Sequence, residues 1–322
     1  MRYVELSGLP QVSKIGLGTW QFGSREWGYG EAYAAGEARA LVRRALELGV
    51  TLFDTAEVYA FGRSERILGE ALGDDRDAVV VATKLLPVAP LPRVVRNRAL
   101  ASRGRLGLRR IPLYQVHWPN PLVPEETVMG GLRGLQDEGV IGDVGVSNYS
   151  LVRWRRAEMA LGRRVLSNQV QFSLARPQPS WELVPWARER SRVVVAYSPL
   201  AQGLLGGRYG EHHRPRGVRA ANPLFLPDNL RRVAPLLDRL REVGDAHDAT
   251  PAQVALAWVL RFDHVVAIPG ASSVAQLEAN VAAAEIELAD DENAALAVEA
   301  ERFSPTRGMR AVPDLARTLL RR

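Results

Sequence analysis

A short apolar run that ends in a polar residue, followed by a stretch with helical spacing, recurs along the whole chain and constrains its fold more than any other feature. Ile15-Gly16-Leu17-Gly18-Thr19 opens the series. Leu52-Phe53 leads to Asp54, Val79-Val80-Val81-Ala82-Thr83 to Lys84, Leu113-Tyr114-Gln115-Val116 to His117, and Asp143-Val144-Gly145-Val146 to Ser147-Asn148. Gln169-Val170-Gln171-Phe172 follows Ser167-Asn168, Val193-Val194-Val195-Ala196 leads to Tyr197, and Val265-Val266-Ala267-Ile268 leads to Pro269-Gly270. Between these runs, residues 37–48 carry apolar positions at helical spacing and stop at Gly49; 127–138 stop at Gly139, and 151–161 at Gly162. Thr250-Pro251 places a cap residue and a first-turn proline ahead of a helix over 251–260, and 273–284 read as another. Strand–helix alternation requires a crossover after every strand, so the strands are parallel.

Eight such units predict a closed barrel, whose core usually takes about 250 residues. The surplus of this 322-residue chain is assigned to a leading β-hairpin over 3–14, an insertion near 203–227 and a tail after Arg302. The expected class is α/β, a (β/α)8 TIM barrel with an N-terminal β-hairpin and accessory helices. The rival, an open doubly wound sheet, calls for G-x-G-x-x-G after the first strand. Here Gly16-Leu17-Gly18-Thr19-Trp20-Gln21 lacks the third glycine and sets a tryptophan where a phosphate would approach. No Pro/Gly/Ser-rich linker divides the sequence, so one domain over 1–322 is expected.

Composition narrows the chemistry. There is no cysteine, which excludes disulfides, thiolate metal sites and a cysteine nucleophile. No apolar run of about 18 residues is present, and the first residues lack the apolar core of a signal peptide, so no membrane association and a cytoplasmic location are expected. The net charge of +6 comes from forty arginines and two lysines, Lys14 and Lys84, spread without a basic stripe, so no nucleic-acid partner is expected. Where arginine holds nearly every basic position, Lys84 points to a place that needs a group able to shift its pKa. Lys14 has no such rationale in the sequence.

In a barrel the C-terminal ends of the strands converge on one rim, so Asp54, Lys84, His117, Ser147, Asn148 and Tyr197 are predicted to meet there. Singly, each is compatible with a structural role: a helix cap for Asp54, a surface lysine, a satisfied core histidine, a packed loop aromatic for Tyr59. Together they form a set suited to proton transfer. Other chemistries fit less well. Only His117 of five histidines falls at a strand end, and no H-E-x-x-H occurs, so no metal is expected. No G-x-S-x-G elbow supports a serine nucleophile. Paired carboxylates for sugar hydrolysis would leave Asp54 with only Glu57 or Asp143 as partner.

Asp54-Thr55-Ala56-Glu57-Val58-Tyr59, followed by Gly62-x-Ser64-Glu65-x-x-Leu68-Gly69, resembles the aldo-keto reductase superfamily, and in particular its bacterial branch similar to potassium-channel β-subunits. Thr83-Lys84, Leu113 to Pro119, Gly145-Val146-Ser147-Asn148, Asn168-Gln169-Val170, Tyr197-Ser198-Pro199-Leu200 and Ile268-Pro269-Gly270-Ala271 extend the likeness over nearly the whole chain. The resemblance implies reduction of an aldehyde or ketone, a small-molecule carbonyl, by NADPH. Tyr59 would be the general acid, Lys84 would lower its pKa, Asp54 would orient Lys84, and His117 would hydrogen-bond the carbonyl. Tyr197 would stack on the nicotinamide, and Ser147, Asn148 and Gln169 would hold its carboxamide. Gly18, Thr19, Trp20, Asp54, Ser198, Pro199, Leu200, Gln202, Gly203, Ile268, Pro269, Gly270, Ser272, Gln276 and Asn280 complete the implied cofactor contacts. Trp20, Tyr59, His117 and Trp118 would line the substrate pocket, with Trp27 and Tyr29 nearby.

The sequence departs from the family pattern at Gly270-Ala271-Ser272-Ser273-Val274-Ala275-Gln276, where many relatives carry a cation for the 2′-phosphate of NADPH. NADH is therefore compatible with this chain as well, unless the run Arg214-Pro215-Arg216-Gly217-Val218-Arg219 supplies the charge. Pro112 stands where relatives often have an acidic residue. The β-subunit likeness also admits a cofactor-binding regulatory module that acts through a protein partner.

Overall fold

The computed structural model describes residues 1–6, 8–23, 31–210, 213–215, 217–306 and 308–311. A two-stranded antiparallel hairpin, β1 (Tyr3–Val4) and β2 (Val12–Ser13), comes first. Eight parallel strands follow: β3 (Leu17–Gly18), β4 (Leu52–Asp54), β5 (Val80–Leu85), β6 (Ile111–Val116), β7 (Ile141–Ser147), β8 (Val165–Gln171), β9 (Val193–Tyr197) and β10 (Val265–Ala267). Each pairs with its neighbour in chain order. A parallel bridge from Ile15 to Ala267 joins the two ends of the sheet, with Gly16 N donating to Ala267 O at 2.8 Å. At this seam Gly18 is required by space, because a Cβ there would sit 2.8 Å from Ile268 O.

The intervening helices are α1 (Glu31–Glu47), α2 (Arg63–Leu72), α3 (Pro92–Leu106), α4 (Glu125–Asp137), α5 (Leu151–Leu161), α6 (Pro179–Glu189), α8 (Pro251–Leu260) and α9 (Val274–Ala282). The accessory helices are α7 (Pro227–Ala246) and α10 (Asp290–Arg302). Local chemistry sets several boundaries. Ser150 caps α5 by accepting from Arg153 N, and Gly162 ends it in the left-handed region. Thr250 and Gln253 form a reciprocal capping box at α8. Several expected bounds shift: β6 begins at Ile111, α4 at Glu125 and β7 at Ile141, each two residues before its expected start. The helix expected from 37 begins at Glu31, and the strand expected over 169–172 begins at Val165, so Ser167 and Asn168 lie within it.

Strand parity divides the interior into two cores. Leu52, Val80, Ala82, Leu113, Val193, Val195 and Val266 face into the barrel, and Val4, Leu6 and Val12 of the hairpin pack beneath them as a plug. The alternate residues, among them Phe53, Val81, Tyr114, Val144 and Val194, pack outward against the helices. Strands buried on both faces read as continuous apolar runs, as here. The inward parity continues to the C-terminal strand ends, so it also directs Asp54, Lys84, His117 and Tyr197 toward the mouth.

Lys14, which had no rationale in the sequence, is buried at the opposite end of the barrel. Its Nζ donates to the carbonyls of Leu260, Phe262 and Asp263 at 3.2, 2.5 and 2.9 Å, closing the C-terminus of α8. Burial, followed by the charge of Arg2, lowers its pKa to about 8. Three converging carbonyls suit a compact three-donor ammonium and not a planar guanidinium. Lys14→Met is expected to destabilise the protein by about 1–3 kcal/mol, the usual cost of orphaning buried acceptors. Lys14→Arg should fail to restore it; urea unfolding of the three proteins checks both.

Candidate active site

At the mouth, the Lys84 ammonium is fully buried and donates to three acceptors. It reaches Asp54 Oδ1 at 2.6 Å, Thr55 O at 2.8 Å and the Tyr59 hydroxyl at 3.3 Å. The second carboxylate oxygen, Asp54 Oδ2, accepts from Gln169 Nε2 at 2.7 Å. Burial opposes the Lys84 charge, but Asp54 and Tyr59 outweigh it and raise its pKa above the ordinary value. For Tyr59, burial dominates and pushes the phenol up; Lys84 pulls it down, while Asp54 and Tyr197 push it up. The expected lowering by Lys84 is present but does not set the net direction. Desolvation is larger, and the phenol holds its proton.

Tyr59 is aimed by an unusual turn. Ala60, Phe61 and Gly62 have φ of 46°, 55° and 79°, a left-handed run that swings the chain sharply into α2. The left-handed φ of 79° selects glycine at position 62, where a Cβ would also crowd the Arg105 side chain. The Gly62-x-Ser64-Glu65 motif has a mechanical use. Ser64 Oγ donates to Thr19 O at 2.8 Å and lies within 3.0 Å of the hydroxyls of Thr19 and Thr55. The buried Glu65 accepts from Thr83 Oγ1 and Arg105 Nε, both at 2.6 Å. The motif thus stitches the ends of β3, β4 and β5 on which Asp54 and Lys84 stand. Its residues were visible in the sequence, but their partners were not.

The ring of His117 stands edge-on to Tyr59, with centroids 5.8 Å apart and planes at 77°. Trp118 stacks flat on it at 3.7 Å and 4°. Burial, then the Lys84 charge, lowers the His117 pKa to about 3, so the imidazole is neutral. Its Nδ1 is sealed from water with no hydrogen-bond partner among the described residues. A proton there would be an unsatisfied buried donor, which favours the tautomer protonated on Nε2.

The residues implied for a cofactor lie on the neighbouring strand ends. Asn148 is left-handed at φ 62°; its Nδ2 donates to Ser147 Oγ at 3.0 Å and His117 O at 3.2 Å, and its Oδ1 accepts from the Tyr197 hydroxyl at 2.9 Å. Ser147 Oγ and Asn148 N both donate to Gln169 O at 2.9 Å. Gln169 Oε1 accepts nothing from the described residues. After β9, Ser198, Ala201, Gln202 and Gly203 are all left-handed, and the N–H groups of Ala201 and Gly203 donate within the loop to Ser198 O and Leu200 O, both at 2.9 Å. Strained non-glycine backbone of this kind concentrates at ligand sites. Near the start of α9, the amide and hydroxyl of Ser272 both donate to Gln276 Oε1, at 2.9 and 2.7 Å, and Asn280 Nδ2 reaches Gly270 O at 3.5 Å. The carboxamide of a nicotinamide fits the open amide acceptor on Gln169.

Thr19 and Gly18 serve the barrel seam and the hydroxyl cluster. Trp20 and Trp118 are half-exposed at the mouth. Trp27, Tyr29 and Arg216 lie outside the described residues. Glu57 and Asp143 are each committed to an arginine, Arg98 at 2.9 Å and Arg164 at 2.8 Å, so neither forms a carboxylate pair with Asp54.

The sequence profile of the Aldo/keto reductase family matches residues 14–298. An uncharacterized oxidoreductase of Mycobacterium tuberculosis is 62% identical over 317 residues, 98% of each chain. A methylglyoxal reductase of Escherichia coli is 32% identical, covering 92% of this chain and 93% of its own. Among solved structures, a glycerol dehydrogenase from Gluconobacter oxydans superposes with a TM-score of 0.85 at 27% identity, covering 95% of this chain and 97% of its own. An aldo/keto reductase from Klebsiella pneumoniae in complex with NADP and acetate does so at 0.76 and 30%, covering 96% and 98%.

The burial of His117 has a consequence in solution. Its ring resonances should stay constant from about pH 8 to about pH 5. A midpoint near the ordinary 6.5 would contradict the burial described. In the unfolded chain the same ring protonates at the ordinary value, so the unfolded state binds more protons. His117 therefore contributes a loss of stability as pH falls from 6.5 toward about 3, and none above.

Proposed function

The chain belongs to the aldo/keto reductase family, and we propose that it reduces an aldehyde or ketone to an alcohol with Tyr59 as proton donor. One observation carries this reading: the buried Lys84 ammonium touches both Asp54 and the Tyr59 hydroxyl, beside the neutral His117 ring. A nicotinamide cofactor, when bound, supplies the hydride. Ser147, Asn148 and Gln169 would hold its carboxamide and Tyr197 would face its ring. Residues 198–203 and 268–270, with Ser272, Gln276 and Asn280, would hold the remainder. NADP in the Klebsiella relative supports this cofactor class. The methylglyoxal and glycerol activities named for two other relatives support a small carbonyl substrate.

The chain's own groups divide the work. Tyr59 keeps its proton until the carbonyl oxygen becomes basic, then releases it to the nascent alkoxide. Lys84 stays charged throughout and stabilises the phenolate left behind. His117, with its proton on Nε2, donates to the same oxygen without adding a charge. Trp118 and Trp20 would form an apolar mouth that excludes water around the carbonyl. The complete proton-transfer set favours chemistry over a purely regulatory role.

Tyr59→Phe should lower the reduction of an accepted carbonyl by roughly 10²–10⁴-fold, the usual worth of a positioned acid, while cofactor binding persists. In the parent protein the reduction rate should fall only on the alkaline side of the ordinary phenol range, since the acid form of Tyr59 is the active one. Unchanged turnover in the variant would remove Tyr59 from this role.

Cofactor choice is open to a direct measurement. Gln276 already occupies the Ser272 donors that would meet a 2′-phosphate, and no lysine or arginine occurs between residues 270 and 276. Parallel titration with NADPH and NADH should show both binding within about tenfold, with Ser272→Arg shifting the balance toward NADPH. A parent preference for NADPH of several orders of magnitude would show that the phosphate is held elsewhere.

A further inference from the structure

Gln169 stands between two functions. Its backbone carbonyl accepts from Ser147 Oγ and Asn148 N, which fixes it beside the residues proposed to hold the carboxamide. Its side chain is buried and reaches across the barrel from β8 to β4, with Nε2 on Asp54 Oδ2 at 2.7 Å. The opposite oxygen of that carboxylate holds Lys84 at 2.6 Å, and Lys84 holds the Tyr59 hydroxyl at 3.3 Å. Asp54 therefore has one fixed partner on each oxygen, and Gln169 is the partner that does not belong to the acid itself. We infer that Gln169 is a positioning residue that ties the filling of the cofactor pocket to proton delivery by orienting the Asp54 carboxylate. This rests on the reading of Tyr59 as the acid.

The amide has the chemistry for both tasks at once. Its N–H is committed to Asp54, and its Oε1 remains as an acceptor for the amino group of a carboxamide. An amide polarised at its oxygen donates more strongly at its nitrogen. A filled pocket thus tightens the hold on Asp54, and through it sets how far the Lys84 ammonium leans toward Tyr59. The titratable groups facing Tyr59 are Asp54 from β4, Lys84 from β5, His117 following β6 and Tyr197 from β9. Gln169 is the neutral member of this assembly, so its influence on Tyr59 passes through Asp54.

The test separates the two tasks. For Gln169→Leu, Gln169→Glu and Gln169→Leu combined with Asp54→Asn, cofactor affinity is measured by quenching of tryptophan fluorescence. Turnover is then measured at saturating cofactor across pH. Gln169→Leu should weaken cofactor binding, lower kcat about tenfold and displace the alkaline limb of the pH profile. In the Asp54→Asn background the same change should leave kcat within about twofold, while the loss of cofactor affinity persists. Gln169→Glu keeps an acceptor for the carboxamide but loses the donor when ionised. It should bind cofactor with kcat reduced, recovering as pH falls and the introduced carboxyl shares a proton with Asp54. Circular dichroism confirms that each variant is folded, and the glutamate variant keeps the shape of the side chain should the leucine variant fail to fold. If Gln169→Leu raises the cofactor dissociation constant alone, with kcat and the pH profile unchanged, the inference is overturned. It is equally overturned if the loss of kcat is undiminished in the Asp54→Asn background. Normal turnover of Tyr59→Phe would instead overturn the assignment of the acid.

Discussion

The contact on which the mouth of this barrel depends is the 2.6 Å ion pair between Lys84 and Asp54. Both groups are withdrawn from water, and an ammonium in that position is tolerated only when its donors all find acceptors. Asp54 takes one, the carbonyl of Thr55 a second and the Tyr59 hydroxyl the third. The last of these turns a structural necessity into chemistry, because the group that completes the lysine's shell is also the group able to give up a proton. Desolvation keeps Tyr59 protonated, and the neighbouring charge stabilises the phenolate once the proton has gone. The same burial keeps His117 neutral. One dry environment thus sets the protonation states of two side chains, while Asp54 and Tyr59 hold the charge of the third, Lys84.

Holding that pair requires the strand ends to stay in register. Parallel pairing sets Asp54 opposite Ala82, two residues before Lys84, and the hydroxyls of Thr19, Thr55 and Ser64 lock the chain just beyond. Glu65, buried between Thr83 and Arg105, braces β5 from outside. Backbone strain is distributed accordingly. Of the nine non-glycine residues with left-handed φ among those described, only Ser191 and Asp248 lie away from the loops of the mouth. The two lysines show the same economy of design at opposite ends of the barrel. Each presents three donors to three oxygens, a geometry that none of the forty arginines can supply.

Much of this was legible in the sequence because period and position carry physical meaning. The strand ends at Asp54, Lys84, His117 and Tyr197 followed from apolar runs bounded by polar residues. The α5 helix and the α8 helix followed from a terminal glycine and a capping threonine, and the hairpin from the residues left over ahead of the barrel core. Boundaries slipped where no local signal exists. β8 starts at Val165, because Ser167 and Asn168 look like loop residues until partners inside the fold are present for them. Ser167 meets Gln115 at 3.2 Å, and Asn168 closes on the backbone of Tyr149. The use of Lys14 was hidden for the same reason, since the carbonyls it satisfies lie some 250 positions away, at residues 260–263.

The sequence by itself determined the repeating unit, the membership in a reductase family and the identity of the groups on the rim. These depend on spacing and residue type, which are local or one-dimensional. Only the tertiary structure decided the sign of the Tyr59 shift, the neutrality of His117 and the partners of Gln169 and Gln276. Those depend on how much water is excluded and on which of several donors lies nearest, and both are set by the closure of the barrel. Asp54 is the clearest case. The sequence marks it as a partner for Lys84 through one oxygen; the folded chain adds Gln169 on the other.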